Sequence, residues 1–206
     1  MSARACGLIR FAAPGLLIAS IAAYATLDVL SAPPSLPSYE AAKAAWKPSE
    51  AWLYDRNGKL LDRIRVDYEA RRLGWTALDA VSPAMREAIV SAEDKRFASH
   101  GGIDWLAVGS GAWAKLRGER SRGASTISMQ LAAFLAPQIA RPGARGWLDK
   151  MRQMRAARDL EGAWSKDEIL EAYLNLAPFR GEAQGVAAGA LTLFGKQPAA
   201  LDRREA

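Results

Sequence analysis

The 206-residue sequence is poor in the side chains that most often bind metals or form cross-links, with one cysteine and one histidine. A single cysteine excludes a disulfide framework within the chain and any zinc site built on several cysteines. A single histidine likewise excludes metal sites that need several histidines from one chain. Chemistry in this protein must therefore rest on carboxylates, lysine and arginine, hydroxyls and amides.

Positive charge is what the sequence has in excess. The 28 lysine and arginine residues outnumber 22 aspartate and glutamate residues, and the formal net charge is +6. Such an excess indicates an anionic partner, but it does not distinguish nucleic acid, phospholipid and a phosphorylated substrate. The mean hydropathy is −0.10 although half of the residues are apolar, so any membrane portion must be small and local.

An uncharged segment of 17 residues lies near the N-terminus, from Phe11 to Leu27, and two arginines precede it. Its length is at the lower limit for crossing a bilayer core about 30 Å thick. The arginines predict a cytoplasmic N-terminus over residues 1–10 and an exported remainder, which argues against nucleic acid as the partner. We predict a single transmembrane anchor over residues 11–30. A cleaved signal peptide ending at the A-x-A pattern of residues 23–25 is the alternative.

The exported part is predicted to be mainly α, with a small β element at its start. Three prolines in residues 31–38 indicate a stiff linker, which we extend to residue 50. Residues 51–66 predict a β-hairpin with a type I′ turn at Asn57-Gly58. The helical pattern begins at Ser82-Pro83, a helix start. Later helices are predicted at Trp105–Leu116, Ser125–Leu135, Trp147–Trp164, from the capping box at Ser165 to Pro178, and through Phe194.

A first candidate site follows the first of these helices and begins at Glu93. Glu93 lies one turn after Ile89 and near the predicted C-terminal end of the helix, where desolvation and the helix dipole would raise the pKa of its carboxyl group. A raised carboxyl pKa suits a general acid or base. The alternatives are a surface cluster of ion pairs within residues 93–96 and a structural, hydrogen-bonded role for His100.

Two further segments carry groups that suit an anionic ligand. Ser125 and Thr126 lie at a predicted helix start, where their hydroxyls and free backbone N–H groups either hold an anion or only cap the helix. Gln130 lies one turn after Thr126 and faces the same way. Residues 141–158 hold six basic residues and one acidic residue, and this run is either a phosphate-binding surface or a solvated basic face.

In order and spacing, these segments resemble the motifs of the family 51 glycosyltransferases, the peptidoglycan transglycosylase domains of class A penicillin-binding proteins and monofunctional transglycosylases. The resemblance covers about residues 50–206. Its motifs are AEDKRFASHGGID, RGASTISMQLA, the basic helix entering WSKDEILEAYLN, and APFRGEAQGVAAGALTLFGK. The stretch LNLAPFRGEAQG is most similar to the penicillin-binding protein 1C subgroup.

The resemblance implies a lysozyme-like glycosyltransferase domain over residues 51–206 that polymerises lipid II. In that reaction the 4-hydroxyl of an acceptor sugar displaces undecaprenyl pyrophosphate from the growing strand, with inversion. Glu93 matches the catalytic base, and Lys150 matches the contact to the donor's pyrophosphate, where fixed positive charge would stabilise the leaving group. The other implied substrate-binding residues are Asp94, Arg96, Phe97, His100, Ser125, Thr126, Gln130 and Gln153.

The same resemblance implies a place at the bacterial inner membrane, with the domain on its outer, periplasmic side. The implied partners are lipid II, the growing glycan strand, the membrane and other cell-wall synthesis proteins. No cofactor is required by the motifs, and a divalent cation, Mg²⁺ or Mn²⁺, is left open as an assistant. A lysozyme-like lytic enzyme with Glu93 as its sole acid and a non-catalytic module that binds lipid II are the alternative functions.

Three features depart from the family pattern. Gln153 stands where the family usually has a glutamate, and Ala133 stands where it has a basic residue. The sequence ends at LDRREA, within what should be a further helix, so we expect a domain truncated at its C-terminal end. It also lacks the Ser-x-x-Lys motif set of a transpeptidase, and we expect no transpeptidase activity.

Overall fold

The computed structural model describes residues 20–118, 123–139 and 146–206. The helices are α1 (residues 20–30), α2 (Tyr39–Ala45), α3 (Pro83–Glu93), α4 (Trp105–Leu116), α5 (Ile127–Leu135), α6 (Trp147–Ala163), α7 (Lys166–Leu176) and α8 (Val186–Phe194). The strands are β1 (Glu50–Tyr54), β2 (Leu60–Arg65), β3 (Arg71–Arg72) and β4 (Ala183–Gln184). The mainly α class and the small N-terminal hairpin are confirmed.

The hairpin of β1 and β2 is antiparallel, but its turn is not of type I′. That turn needs positive φ at two successive residues. Among the described residues no residue other than glycine has positive φ, so only Gly58, at +79°, meets the requirement. The Gly58 N–H instead donates to the carbonyl of Asp55 at 3.1 Å, and the Asp55 carboxylate accepts the N–H groups of Asn57 and Lys59. These contacts define a type I turn followed by a left-handed glycine.

Helix starts follow the predicted capping residues closely. The Ser82 side chain accepts the Met85 N–H ahead of α3, and Ser165 and Glu168 form the predicted capping box of α7. Helix α5 begins two residues later than predicted, because Thr126 is its N-cap. Side chains at these positions satisfy N–H groups that have no partner within the helix.

The core lies between α5, α6 and α7. Its fully buried large side chains include Ile127, Met129, Leu131, Leu160, Ile169 and Leu174. Helix α6 buries Ala156, Ala157 and Leu160, whereas Leu148, Met151 and Met154, which its pattern favoured, are only half-buried. Small side chains on α6 allow close approach of another backbone: a Cβ atom added to Gly102 would lie 2.6 Å from the Ala157 carbonyl oxygen.

Part of the predicted linker is folded against the core. Ser38 caps α2, and Ala42 within this helix is buried. The Tyr39 hydroxyl and the Lys43 ammonium both contact the Glu171 carboxylate on α7. The proline-rich composition of residues 31–38 did not indicate that residues 39–45 pack as a helix.

The predicted anchor is only partly covered by the structure. Its residues 11–19 lie outside the described residues, and residues 20–30 form α1. In the described portion of the chain, no helix combines the length and the apolar character needed to cross a bilayer.

Candidate active site

A cavity of about 910 Å³ opens beside the C-terminal end of α3. Its walls come from α3, the loop that follows it, α4 and the segment that enters α5. Of the predicted site residues, those that line it are Glu93, Asp94, Arg96, Ser125, Thr126 and Gln130. The fold therefore brings the first and second sequence motifs together around one space.

Glu93 and Gln130 meet across this cavity. Glu93 is the last residue of α3, as predicted, and the Gln130 Nε2 atom on α5 donates to Glu93 Oε2 at 2.8 Å. Glu93 is exposed, so its carboxylate is not desolvated in the free cleft as the sequence had predicted. One carboxylate oxygen is thus held by Gln130.

Asp94 lies directly below the cleft and is 5% exposed. Its carboxylate accepts the Ile127 N–H at 3.0 Å and contacts His100 Nε2 at 2.9 and 3.0 Å. A negative charge at the first turn of α5 is favourable there. The Asp94 carboxylate and the Thr126 hydroxyl thus accept N–H groups at this helix start, which favours the capping alternative there.

Three other predicted substrate-binding residues also have structural contacts. Thr126 caps α5, and its hydroxyl donates to the Gly102 carbonyl at 2.6 Å. Phe97 is 5% exposed and belongs to the hydrophobic core, and the His100 side chain is buried beside it. Asp94, Phe97 and His100 thus support the cleft from within the fold. For His100 this agrees with the alternative of a structural, hydrogen-bonded role.

Arg96 is fixed at the cavity edge by Asp104. The Arg96 Nε donates to Asp104 at 2.9 Å, and a second guanidinium nitrogen contacts the other carboxylate oxygen. Asp104 also caps α4 through the Ala107 N–H. Burial opposes ionisation of Asp104, but Arg96 and this N–H hold the pKa of its carboxyl below the usual value.

A second cavity, of about 340 Å³, adjoins the first and shares Ser125 and Gln130 with it. Lys150, Gln153 and Ala133 also line it. The Lys150 ammonium donates to the Ser125 hydroxyl at 2.7 Å. The basic helix is thus adjacent to the segments around Glu93 and Ser125, and the Lys150 ammonium lies where the two cavities meet.

Two arginines of the basic run contact another part of the protein. On α6, the Arg155 guanidinium pairs with Asp28 at 2.7 Å, and Arg152 donates to the Leu30 carbonyl at 2.9 Å. These arginines face the end of α1, where carbonyl groups lack partners within the helix. Arg141 and Arg145 lie outside the described residues. Among the described basic residues of this run, Lys150 is the one that lines the second cavity.

The residues present do not form a site that fits a divalent cation. No three histidine, cysteine or acidic side chains come together as a possible metal site anywhere in residues 20–118, 123–139 and 146–206. Asp149 is the one carboxylate lining the second cavity, and it already pairs with Arg152 at 3.1 Å.

Sequence reasoning missed two supporting side chains on α7. The Lys166 ammonium donates at 2.7 Å to both the His100 carbonyl and the Glu161 carboxylate. The Tyr173 hydroxyl donates to Gln130 Oε1 at 3.1 Å. The capping box predicted the helix that carries both residues, but no local signal indicated their contacts to His100 and Gln130, which are distant in sequence.

Comparison with known proteins shows what this chain is similar to. The family model described as Transglycosylase matches residues 57–206. The chain is 43% identical over 134 residues, 64% of its length, to a biosynthetic peptidoglycan transglycosylase of Rhodospirillum centenum. It is 35% identical over 160 residues, 77% of its length, to a protein of the same name from Mannheimia succiniciproducens. It is 40% identical over 176 residues, 79% of its length, to penicillin-binding protein 1C of Escherichia coli.

The matches cover only part of those relatives. The aligned region is 55% of the Rhodospirillum protein, 63% of the Mannheimia protein and 22% of the Escherichia coli protein. The similarity to penicillin-binding protein 1C agrees with the subgroup that the LNLAPFRGEAQG stretch indicated. Because the family match extends over most of the chain, this protein belongs to the transglycosylase family.

Proposed function

We propose that this chain carries a peptidoglycan glycosyltransferase site that polymerises lipid II and releases undecaprenyl pyrophosphate. The observation that carries the proposal is the pair of adjoining cavities, with Glu93 in one and Lys150 in the other. A reaction between two sugars needs room for both, a base for the attacking hydroxyl and positive charge for a diphosphate leaving group. Ser125 and Gln130, which line both cavities, would lie between the two substrates.

Glu93 is the base in this mechanism. It takes the proton of the acceptor's 4-hydroxyl while that oxygen forms a bond to the anomeric carbon of the growing strand. Gln130 occupies Oε2 of Glu93, which leaves Oε1 to accept the proton. Closure of the cavity around substrate would remove water from the carboxylate and favour proton uptake.

Lys150 acts on the leaving group. As the bond between the anomeric carbon and the pyrophosphate oxygen breaks, both bonding electrons leave with the diphosphate. A fixed ammonium group beside the forming negative charge stabilises that transition state. Lys150 is already positioned by the Ser125 hydroxyl at 2.7 Å, so little reorganisation is needed during the reaction.

The membrane is the proposed location because apolar side chains are exposed beside the cleft. Helix α4, which lines the cavity through Ala107 and Ser110, exposes its large apolar residues Trp105, Leu106, Trp113 and Leu116. Apolar side chains of α1, such as Tyr24 and Val29, are exposed as well. An apolar surface next to the cavity suits a lipid-linked substrate presented at the outer face of the bacterial inner membrane.

Labelled lipid II tests the proposal directly. The unaltered protein should form glycan polymer, Glu93→Gln should lose at least about 100-fold in rate, and Glu87→Gln should polymerise normally. Glu87 is a matched control because it lies on the same helix with its side chain 72% exposed. Absence of polymer from the unaltered protein would contradict the proposal. Muropeptide release from sacculi would instead support a lytic enzyme, and lipid II binding without turnover would support a non-catalytic module.

A further inference from the structure

A hydrogen-bonded chain of three side chains connects the core to Glu93. The Tyr173 hydroxyl on α7 donates to Gln130 Oε1 at 3.1 Å, and Gln130 Nε2 on α5 donates to Glu93 Oε2 at 2.8 Å. The three residues come from three different helices. Tyr173 is 5% exposed and is not itself among the residues that line either cavity.

The direction of this chain follows from what each group can donate. An ionised carboxylate only accepts hydrogen bonds, so Gln130 must present its NH₂ group to Glu93. The amide oxygen of Gln130 then faces Tyr173, which must donate. Burial and the nearby charge of Glu93 raise the pKa of Tyr173 to about 12, so its hydroxyl keeps the proton at neutral pH.

Without the hydroxyl, the amide of Gln130 keeps its contact to Glu93 but loses the donor that holds its oxygen. An amide oxygen and an amide nitrogen have nearly the same shape, and only their partners decide which one faces Glu93. Phe134 packs against the Tyr173 ring with centroids 5.9 Å apart, so the ring itself would stay in place. Removal of the oxygen atom alone would leave the amide oxygen of Gln130 without this donor, so the side chain would be held less firmly against Glu93.

We infer that Tyr173 is a positioning residue that fixes the amide of Gln130, so that its NH₂ group holds Glu93 with one carboxylate oxygen free for the acceptor hydroxyl. Tyr173 acts through Gln130 and does not touch substrate. The kinetic part of this inference rests on the proposed function, whereas its structural part does not.

The kinetic test is a double-mutant cycle on lipid II polymerisation. Tyr173→Phe should lower kcat about 3- to 10-fold with KM unchanged, as for the loss of one hydrogen bond. In a Gln130→Ala background the same change should alter kcat less than about twofold, because the residue through which it acts is gone. Equal effects of Tyr173→Phe in both backgrounds, or no effect on kcat, would overturn the inference.

Tyr39→Phe is the matched control. It removes the same oxygen atom from another partly buried tyrosine, whose hydroxyl contacts Glu171 and not the cleft. It should lower the melting temperature and leave kcat unchanged. A similar loss of kcat in Tyr39→Phe would show that general loosening explains the result, and would overturn the inference.

The structural test uses the side-chain amide resonances of Gln130 in the ¹⁵N-labelled protein. Both Tyr173→Phe and Glu93→Gln should shift these resonances, and Tyr39→Phe should not. Unchanged resonances in Tyr173→Phe would overturn the inference even if polymerisation is observed. If the unaltered protein makes no polymer while the resonances shift as expected, the proposed function fails and the positioning contact stands.

Discussion

Replacement of the Glu171 carboxylate should lower the stability of this fold. It is buried on α7, with 11% of its side chain exposed. Its Oε1 atom accepts from Trp75 at 2.6 Å, Lys43 at 3.2 Å and the Tyr39 hydroxyl, and Oε2 accepts the Leu78 N–H at 2.8 Å. One carboxylate therefore joins α2 and the segment before α3 to the core.

Glu171→Gln keeps the shape of this side chain but cannot satisfy its partners. An amide has one acceptor oxygen, so its NH₂ group must face either the Leu78 N–H or the three donors around Oε1. A buried donor left without an acceptor costs about 1–3 kcal/mol, and the remaining hydrogen bonds lose the assistance of the charge. We expect a loss of about 3 kcal/mol in the free energy of unfolding, or roughly 6–12 °C in melting temperature.

The pH dependence gives this prediction a second readout. Burial opposes the charge of Glu171, but hydrogen bonds from Tyr39, Trp75 and Leu78 hold the pKa of its carboxyl below the usual value. A group with a lowered pKa in the folded state stabilises the fold above its unfolded pKa of about 4.3, and this contribution is lost as the pH falls through the folded pKa. The difference between the unaltered protein and Glu171→Gln should therefore shrink below about pH 4.

Urea denaturation at several pH values measures both effects. Glu40→Gln is the control, because Glu40 is exposed on α2 and its replacement should change stability by no more than about 0.5 kcal/mol. The reasoning would be refuted if Glu171→Gln lowered the free energy of unfolding no more than the control does. It would also be refuted if that loss stayed constant from pH 7 to pH 3.

Two further substitutions test contacts that support the cleft. Lys166→Met should lower the free energy of unfolding by about 3 kcal/mol in urea denaturation, because it leaves the Glu161 carboxylate, 8% exposed, without its cation. Adding Glu161→Gln should recover part of this loss, and no recovery would contradict the pairing. Gly102→Ala should cost more than about 2 kcal/mol, since φ is +87° and the new Cβ would lie 2.6 Å from the Ala157 carbonyl oxygen. Gly101→Ala, in open space, should melt close to the unaltered protein, and equal melting temperatures for the two glycine variants would argue against the close approach.

Local signals predicted the helices well, because capping and periodicity act within a few residues. The capping box at Ser165 and the N-cap at Ser82 both stand where the sequence indicated. The type of the hairpin turn could not be predicted in the same way. Asn57-Gly58 is compatible with two turns, and the Asp55 carboxylate, by accepting two N–H groups, favours the other one.

Predictions about burial were weaker where packing between helices decides. Helix α6 carries methionines on one face and alanines on the adjoining face. Its pattern favoured burial of the methionines. The close approach of the Gly102 backbone to Ala157 instead places the alanines inside. The sequence likewise did not indicate which basic residues of α6 face the site. Arg152 and Arg155 face the end of α1, whereas Lys150 faces the cavity.

The sequence by itself determined the helical class, the hairpin, most helix starts and, through its motifs, the family and the candidate base Glu93. These follow from interactions between residues close in the chain or from motifs of fixed spacing. Only the tertiary structure decided which polar groups meet: Gln130 with Glu93, Asp94 with the start of α5, and Tyr173 with Gln130. The partners in each pair are more than thirty residues apart, and they meet because α3, α5 and α7 pack around one core.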